Sequence, residues 1–178
     1  MKGCYHIALS LLLSLSVSFL QAQQPGSASE FLTQMTGSWE LDPELSDYSQ
    51  VPLKTTQFDV ETRALATGNA VLAEIQSVRV RQGGETMEMK EAMLFSHDKE
   101  GNVYVTITAT GEVVSPAQGT FEDGDIRFAV EAEELSNPRL ERTSGVLSFD
   151  EAGRLHYLVT YFFKNGKSMS YEMVLKRK

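Results

Sequence analysis

The feature that most constrains this chain is a series of short segments in which apolar and polar residues alternate. The alternation begins after Gly37 with Trp39 and continues through Phe58 and Val60, with the two-residue period of a half-buried β-strand. Further strands are predicted at about 70–81, 85–96, 102–110, 113–121, 125–133, 140–149, 154–164 and 168–177. The sequences between them are typical of hairpin turns: Gly83-Gly84, Asp98–Gly101, Asp123-Gly124, Asp150–Gly153 and Asn165-Gly166.

No stretch long enough for a crossover helix separates these strands, so they are expected to pair in antiparallel order. A sheet of this length exposes two edges unless it closes on itself. We therefore predict an all-β fold, an antiparallel up-and-down β-barrel of about 8–10 strands, with a two-sheet sandwich as the alternative. Ser27 and Glu30 have the spacing of a capping box, which predicts a short helix over 29–35 before the barrel.

The N-terminal segment has the order of a secretory signal peptide. Lys2 precedes an apolar run at 7–20, and the small residue Ala22 follows that run. The run is shorter than the roughly 20 apolar residues of a membrane-spanning helix. We predict a signal peptide at 1–22 and a β-barrel domain at 23–178, exported to the periplasm or the extracellular space.

The formal net charge of −8 argues against a nucleic-acid partner, because a surface that follows phosphates needs clustered basic residues. Charged residues also recur on the faces predicted to point outward: Arg127, Glu131, Glu133, Glu172 and Lys176. A barrel that crosses a membrane has an apolar outer band instead. We therefore expect neither a nucleic-acid partner nor a membrane-spanning barrel, and the oligomeric state stays open.

Few residues have the spacing of a catalytic or metal site. The three histidines are scattered, and the sequence contains neither a His-x-His pair nor a His-Glu-x-x-His motif. It also lacks the Gly-x-Ser-x-Gly motif of a nucleophile elbow and the glycine-rich loops that hold phosphates. Cys4, the single cysteine, would be removed with the signal peptide. We therefore expect a protein without catalytic activity and without a metal or other resident cofactor.

His156 is the histidine with a candidate role. A two-residue turn at Asn165-Gly166 would pair His156 with Leu175 and direct the more apolar face of both strands into the lumen. That face carries His156, Leu158, Phe162, Met169, Tyr171 and Met173. A lumenal His156 could be an axial haem ligand or a general acid/base for a lipid-like substrate. The alternative is a core or rim histidine that is bonded to a neighbour.

The strand at 85–96 places a carboxylate among methionines. Strict alternation gives one face the residues Met87, Met89, Glu91, Met93 and Phe95. Inside a barrel, Glu91 would need a bond from an arginine, a tyrosine or a ligand, or it would be protonated. It would then be a second candidate acid/base. A bulge or a rim position would instead make Glu91 an ordinary surface residue.

The methionines on the predicted inward faces favour a lumen that binds a ligand. Thioether side chains are flexible and polarizable, so they adapt to an apolar guest, although they also fill irregular cores. We therefore predict a barrel that binds a small hydrophobic molecule, with the loop at 42–52 at its mouth. The alternatives are a lumenal enzyme that uses Glu91 or His156, a haem-binding barrel, and an envelope interaction module with a filled core.

The two ends of the predicted barrel resemble the calycin superfamily. Phe31–Trp39 resembles its short helix and Gly-x-Trp motif, and Tyr171–Arg177 resembles its last strand, which ends in a basic residue. The turn at Asp150–Gly153 is similar to that of small secreted bacterial lipocalin-like proteins of the DUF1579 family. The resemblance implies a lipocalin-like barrel in which Arg177 packs over Trp39 and closes one end.

Overall fold

The computed structural model describes residues 24–81, 83–109, 112–131 and 137–178. Within them the chain forms one helix, α1 (Ala28–Met35), followed by ten strands. The strands are β1 (Gly37–Leu41), β2 (Leu53–Ala64), β3 (Ala70–Arg81), β4 (Thr86–His97), β5 (Val103–Ala109), β6 (Glu112–Glu122), β7 (Asp125–Glu131), β8 (Leu140–Phe149), β9 (Leu155–Phe163) and β10 (Ser168–Arg177). The predicted signal peptide at 1–22 lies outside the described residues.

The helix begins at the predicted capping box. The hydroxyl of Ser27 accepts a hydrogen bond from the backbone N–H of Glu30 at 3.2 Å. The Glu30 carboxylate accepts one in turn from the backbone N–H of Gly26 at 2.7 Å. The helix buries one face, which consists of Ala28, Phe31, Leu32 and Met35, against β2, β3, β4 and β7.

Each strand pairs in antiparallel order with its neighbour along the chain, and β1 pairs with β10 to close a barrel. In that closing pair Trp39 lies opposite Arg177, and Leu41 lies opposite Leu175. The structure therefore confirms the predicted all-β antiparallel barrel and excludes the two-sheet sandwich. Closure leaves no unpaired sheet edge along β1 or β10 of the kind that recruits other chains.

The end of the barrel beside α1, called the closed end, is filled by aromatic side chains. Trp39 is fully buried, donates its Nε1–H to the carbonyl of Met35 at 2.7 Å, and has its ring centre 6.0 Å from that of Phe149. The Arg177 guanidinium lies 4.3 Å from the centre of the Trp39 ring and donates to the carbonyl of Thr36 at 2.8 Å. This is the packing that the family resemblance implies.

The middle of the lumen is filled by Phe128. Gly145, on the adjacent strand, makes room for this ring, because a Cβ at Gly145 would lie 2.3 Å from the Cζ of Phe128. The ring centre of Phe128 is 6.3 Å from that of Tyr157 on β9, the strand on the other side of β8. The barrel is therefore packed from the closed end to the level of Gly145, which leaves the opposite end, called the mouth, for a cavity.

The turn between β9 and β10 differs from the prediction by one residue. Phe163 donates its N–H to the carbonyl of Lys167 at 2.9 Å, and the loop of three residues between them holds Gly166 at a φ of 77°. His156 consequently pairs with Val174 and not with Leu175. A shift of one residue turns every side chain of a strand to the other face. The predicted inward orientation is therefore wrong for three residues of β9: His156, Leu158 and Phe162.

Candidate functional site

The mouth of the barrel contains a cavity of about 370 Å³, a volume within the range of about 300–1,000 Å³ that is typical of small-molecule sites. Its walls are the mouth ends of β2, β3, β8, β9 and β10 together with the loop at 42–52. Most of the lining side chains are apolar or aromatic. They are Tyr48, Val51, Pro52, Leu53, Thr55, Arg79, Asn137, Leu140, Tyr161, Phe163, Met169 and Tyr171.

The loop at 42–52 is fixed along β10 before it reaches the cavity. Asp42 donates its backbone N–H to the carbonyl of Val174 at 2.7 Å, and Asp47 and Glu172 exchange two backbone hydrogen bonds of 2.9 Å each. The hydroxyl of Ser46 accepts the backbone N–H of Val174 at 3.0 Å. These bonds hold the residues that follow as one wall of the cavity: Tyr48, Val51 and Pro52.

An arginine–glutamate pair lies inside the barrel beside this cavity. Glu91 pairs with Ile75 and Ala109 in the sheet, so it points inward, as strict alternation along β4 predicts. The Nη2 of Arg79 donates to both carboxylate oxygens of Glu91, at 3.2 and 3.0 Å. The Arg79 and Glu91 side chains are only 17% and 14% exposed. The carboxylate thus has the arginine partner that its position requires.

Three of the side chains that line the cavity are tyrosines, namely Tyr48, Tyr161 and Tyr171. The ring centres of Tyr48 and Tyr161 each lie 6.0 Å from that of Tyr171. Burial raises the pKa of the Tyr171 hydroxyl well above its usual range, and it raises the pKa of Tyr157 similarly. The positive charge of Arg79 acts against both shifts without cancelling them. Both hydroxyls therefore stay protonated and can donate hydrogen bonds at any physiological pH.

Several buried hydroxyls have no hydrogen-bond partner within the described residues. They are those of Tyr48, Ser77 and Thr143. Burial raises the pKa of Tyr48, and the nearby hydroxyls of Thr55 and Ser46 moderate that shift without reaching hydrogen-bond geometry. Buried polar atoms in native proteins are nearly always paired. Tyr48 also lines the cavity, so its unpaired hydroxyl is a place where a bound molecule can complete the bonding.

The predicted inward methionines divide between the core and the cavity. Met169 lines the cavity, whereas Met93 and Met173 are buried in the core at 6% and 2% exposure. Met87 pairs with Arg79, and Met89 pairs with Ser77. Both methionines therefore lie on the inward face of β4, toward the mouth of the barrel. Of the remaining predicted residues, Tyr171 lines the cavity and Phe95 is part of the core.

The structure places His156 on the outer face, away from the cavity. Its Nδ1 lies 2.7 Å from a carboxylate oxygen of Glu172, and its Nε2 lies 3.3 Å from one of Asp150. Leu158 is 38% exposed, and Phe162 packs under the guanidinium of an arginine on β8. The structure does not bring His156 and Glu91 together, and a lumenal haem ligand at His156 has no support in this geometry.

The turn that bonds His156 also gives the barrel a pH-dependent contribution to stability. Asp150 accepts the backbone N–H groups of Ala152 and Arg154, each at 2.9 Å. Burial opposes ionisation of Asp150, but hydrogen bonds from the backbone and side chain of Arg154 outweigh it and lower the pKa of this carboxyl. Because its pKa is lower in the folded state, ionised Asp150 stabilises the fold at pH values above about 4, the pKa of the unfolded chain. This stabilisation is lost as the pH falls through the lower pKa of the folded state.

We expect Asp150→Asn to lower the free energy of unfolding by about 1 kcal/mol at pH 7. The difference from the unmodified protein should shrink as the pH falls from about 4 through the lower pKa of folded Asp150, because its carboxyl is then protonated and uncharged, as the amide of asparagine is. Urea unfolding at pH 7 and at pH 3 measures this. Glu151→Gln, at the exposed next position, is the control and should change little at either pH. A loss for Asp150→Asn that is the same at both pH values would contradict the prediction.

Sequence reasoning missed Arg79 and the tyrosines Tyr48 and Tyr161 as site residues. A signal for Arg79 was present, because it continues the inward alternation of Val71, Ala73 and Ile75 along β3. A charged residue in that position must find a partner inside the barrel. Tyr161 was missed because the register error turned β9 to the wrong face, and Tyr48 lies in a loop without periodicity.

Neither a metal site nor a membrane-spanning helix is evident in the part of the chain that the structure describes. No group of three or more His, Cys, Asp or Glu side chains there is arranged to hold a metal ion. None of its helical segments has both the length and the apolar character needed to cross a bilayer.

Comparison with known proteins neither assigns the chain to a family nor adds to the account of its fold. No protein-family model and no curated protein matches the chain. Among solved structures, the crystal structure of lobster apocrustacyanin A1 is similar, with a TM-score of 0.34 and 10% sequence identity. The match covers 82% of this chain and 62% of the apocrustacyanin chain. The chain therefore spans less than two thirds of the length of apocrustacyanin A1. The architecture described above rests on the strand pairing itself.

Proposed function

We propose that this protein binds a small, mainly apolar molecule in the cavity at the mouth of its barrel. The observation that carries the proposal is the cavity of about 370 Å³ in a lumen that is otherwise filled by side chains such as Trp39 and Phe128. A closed β-barrel of this size can hold one small ligand. A filled-core interaction module would have no reason to leave this space lined by aromatic and aliphatic groups.

The proposal includes three predictions from the sequence. The protein is exported, with the signal peptide at 1–22 removed; it acts by binding rather than by catalysis; and it needs no metal or haem. Membership of the calycin superfamily, and similarity to the DUF1579 family, belong to the same proposal. The calycin membership is supported by the Gly-x-Trp motif at Trp39 and by the position of Arg177 over that ring, whereas the similarity to the DUF1579 family depends on the turn at Asp150–Gly153 and the hairpin at Asn165-Gly166.

Blocking the cavity tests the proposal. Met169 lines the cavity, so we expect Met169→Trp to fill part of it and to weaken binding of the uncharged fluorescent probe N-phenylnaphthylamine at least about tenfold, which corresponds to about 1.4 kcal/mol. The measurement is a fluorescence titration on the purified protein. Native mass spectrometry of protein from its own host then shows whether a ligand copurifies.

The control is Lys176→Trp on the same strand. Lys176 is exposed on the outer face, where it forms a 3.6 Å ion pair with Glu40, so this variant adds the same fluorophore outside the barrel. It should bind the probe as the unmodified protein does. Unchanged probe binding by a folded Met169→Trp variant, checked by circular dichroism, would show that the cavity is not the binding site.

A further inference from the structure

We infer that the ligand of this cavity carries an uncharged oxygen group that accepts hydrogen bonds, such as an ester or ketone carbonyl, and is not an anionic lipid. The inference rests on the proposed function and specifies the chemical class of the ligand. It follows from how the Arg79–Glu91 pair and the neighbouring hydroxyls divide their hydrogen bonds and charges.

The first step concerns Arg79, which lines the cavity while Glu91 lies deeper in the lumen. Among the described residues, the hydrogen bonds of the Arg79 guanidinium all start from its Nη2 and end on Glu91. A guanidinium has five N–H donors in a rigid plane. Glu91 therefore orients Arg79 and leaves other donors of the same group available to a molecule in the cavity.

The second step concerns the hydroxyls. Tyr48, Ser77 and Thr143 have buried, unpartnered hydroxyls within the described residues, and Ser77 is only 3% exposed. Tyr171 stays protonated because burial raises its pKa. Of these residues, Tyr48 and Tyr171 line the cavity, as Arg79 does. A hydroxyl can donate or accept a hydrogen bond, but a guanidinium has donors and no acceptor. The group that completes Arg79 is therefore an acceptor oxygen, to which the tyrosine hydroxyls can also donate.

The third step concerns charge. Glu91 already balances the charge of Arg79 at 3.0 Å, so the pair is neutral as a unit. A carboxylate or phosphate bound to Arg79 would add a second negative charge near the Glu91 carboxylate, which is only 14% exposed, and an unbalanced charge there is costly. A carbonyl oxygen receives the same hydrogen bonds without that penalty. The geometry thus favours an uncharged acceptor over an anion.

The test compares matched ligands that differ in the head group alone: dodecanoate, its methyl ester and dodecane. Each is titrated against protein loaded with N-phenylnaphthylamine at pH 7.5. We expect the ester to displace the probe at a concentration at least about tenfold lower than dodecanoate. It should also act at a lower concentration than dodecane, because the alkane leaves the donors unpaired.

Glu91→Gln sharpens the comparison. The change removes the negative charge that balances Arg79. A bound carboxylate would then balance that charge, so the preference for the ester over dodecanoate should fall at least about tenfold or reverse. The control is Glu74→Gln, the same substitution in the exposed Arg63–Glu74 pair on the outer face of β3. It should leave the preference as it is. If Glu91→Gln fails to fold, the preference of the unmodified protein decides the question.

The outcomes separate this inference from the proposed function. Dodecanoate that binds as tightly as its ester, or a preference that Glu91→Gln leaves unchanged in a folded protein, would overturn the head-group inference while probe binding still supports a lumenal ligand. Equal binding of ester and alkane would also overturn it. Absence of binding by the probe and by all three ligands would remove both.

Discussion

Replacing Trp39 by alanine is expected to lower the free energy of unfolding by about 3–5 kcal/mol. The side chain is fully buried at the closed end, where its removal leaves a cavity between α1 and the barrel. The change also removes the hydrogen bond from Nε1 to Met35 and the ring on which the Arg177 guanidinium lies. Urea unfolding followed by circular dichroism measures the loss.

Two further variants make the Trp39 prediction specific. Trp39→Phe keeps an aromatic ring but loses the Nε1 hydrogen bond, so it should lower the free energy of unfolding by about 1–2 kcal/mol. Leu45→Ala, at a large apolar residue that is 45% exposed, should change it by less than about 0.5 kcal/mol. A loss below about 1.5 kcal/mol for Trp39→Ala would mean that the closed end does not depend on this residue.

The Arg79–Glu91 pair is expected to show strong coupling in a double-mutant cycle. Arg79→Met leaves the Glu91 carboxylate without a partner in a site where it is 14% exposed, which should lower the free energy of unfolding by about 3 kcal/mol. Glu91→Met leaves the Arg79 guanidinium without its partner and should lower the free energy of unfolding by a similar amount. The double variant should lose less than either single variant, because replacing both charges by apolar groups removes the desolvation penalty as well.

The exposed Arg63–Glu74 pair is the matched control for this cycle. It also joins an arginine and a glutamate across neighbouring strands, at 3.8 Å, but the two side chains are 64% and 62% exposed. Arg63→Met should change the free energy of unfolding by less than about 1 kcal/mol, because solvent screens exposed ion pairs. Additive losses for Arg79→Met and Glu91→Met would show that the two charges do not act as a unit.

The architecture of this protein is predictable from local sequence because its turns are short and chemically distinct. The strands at 70–81, 140–149 and 168–177 were predicted with the bounds that the structure gives them. The capping box at Ser27 likewise located the helix to within one residue. Alternating apolar residues and glycine-containing turns are local signals, and closure follows from the need to remove two edges.

The orientation of β9 could not be predicted from the sequence of its turn. An Asn-Gly pair suits both a two-residue hairpin and a three-residue loop with glycine in the left-handed conformation, and the chain adopts the second, with Gly166 at a φ of 77°. Because β9 is apolar on both faces, its composition does not correct such an error. In the structure, His156 therefore points outward and Tyr161 points inward, the reverse of the predicted orientation.

The cavity itself depends on contacts that are distant in sequence. Glu91 was identified from its own strand, but its partner Arg79 comes from β3 and the tyrosines come from β9, β10 and the loop at 42–52. Periodicity gives the face on which a side chain lies and does not give its neighbours around a barrel. The polar part of the site therefore required the three-dimensional structure.

The closing pair of strands has a consequence for how the chain reaches its fold. Trp39 and Arg177 belong to the first and the last strand, yet each needs the other to complete the closed end. Hairpins between successive strands can form early, since they are local, whereas the β1–β10 seam must wait for contacts of very long sequence separation. Until that seam forms, both strands offer unpaired backbone to other chains. We therefore expect a chain that is slow to close this seam to be prone to aggregation, whatever the stability of its native state.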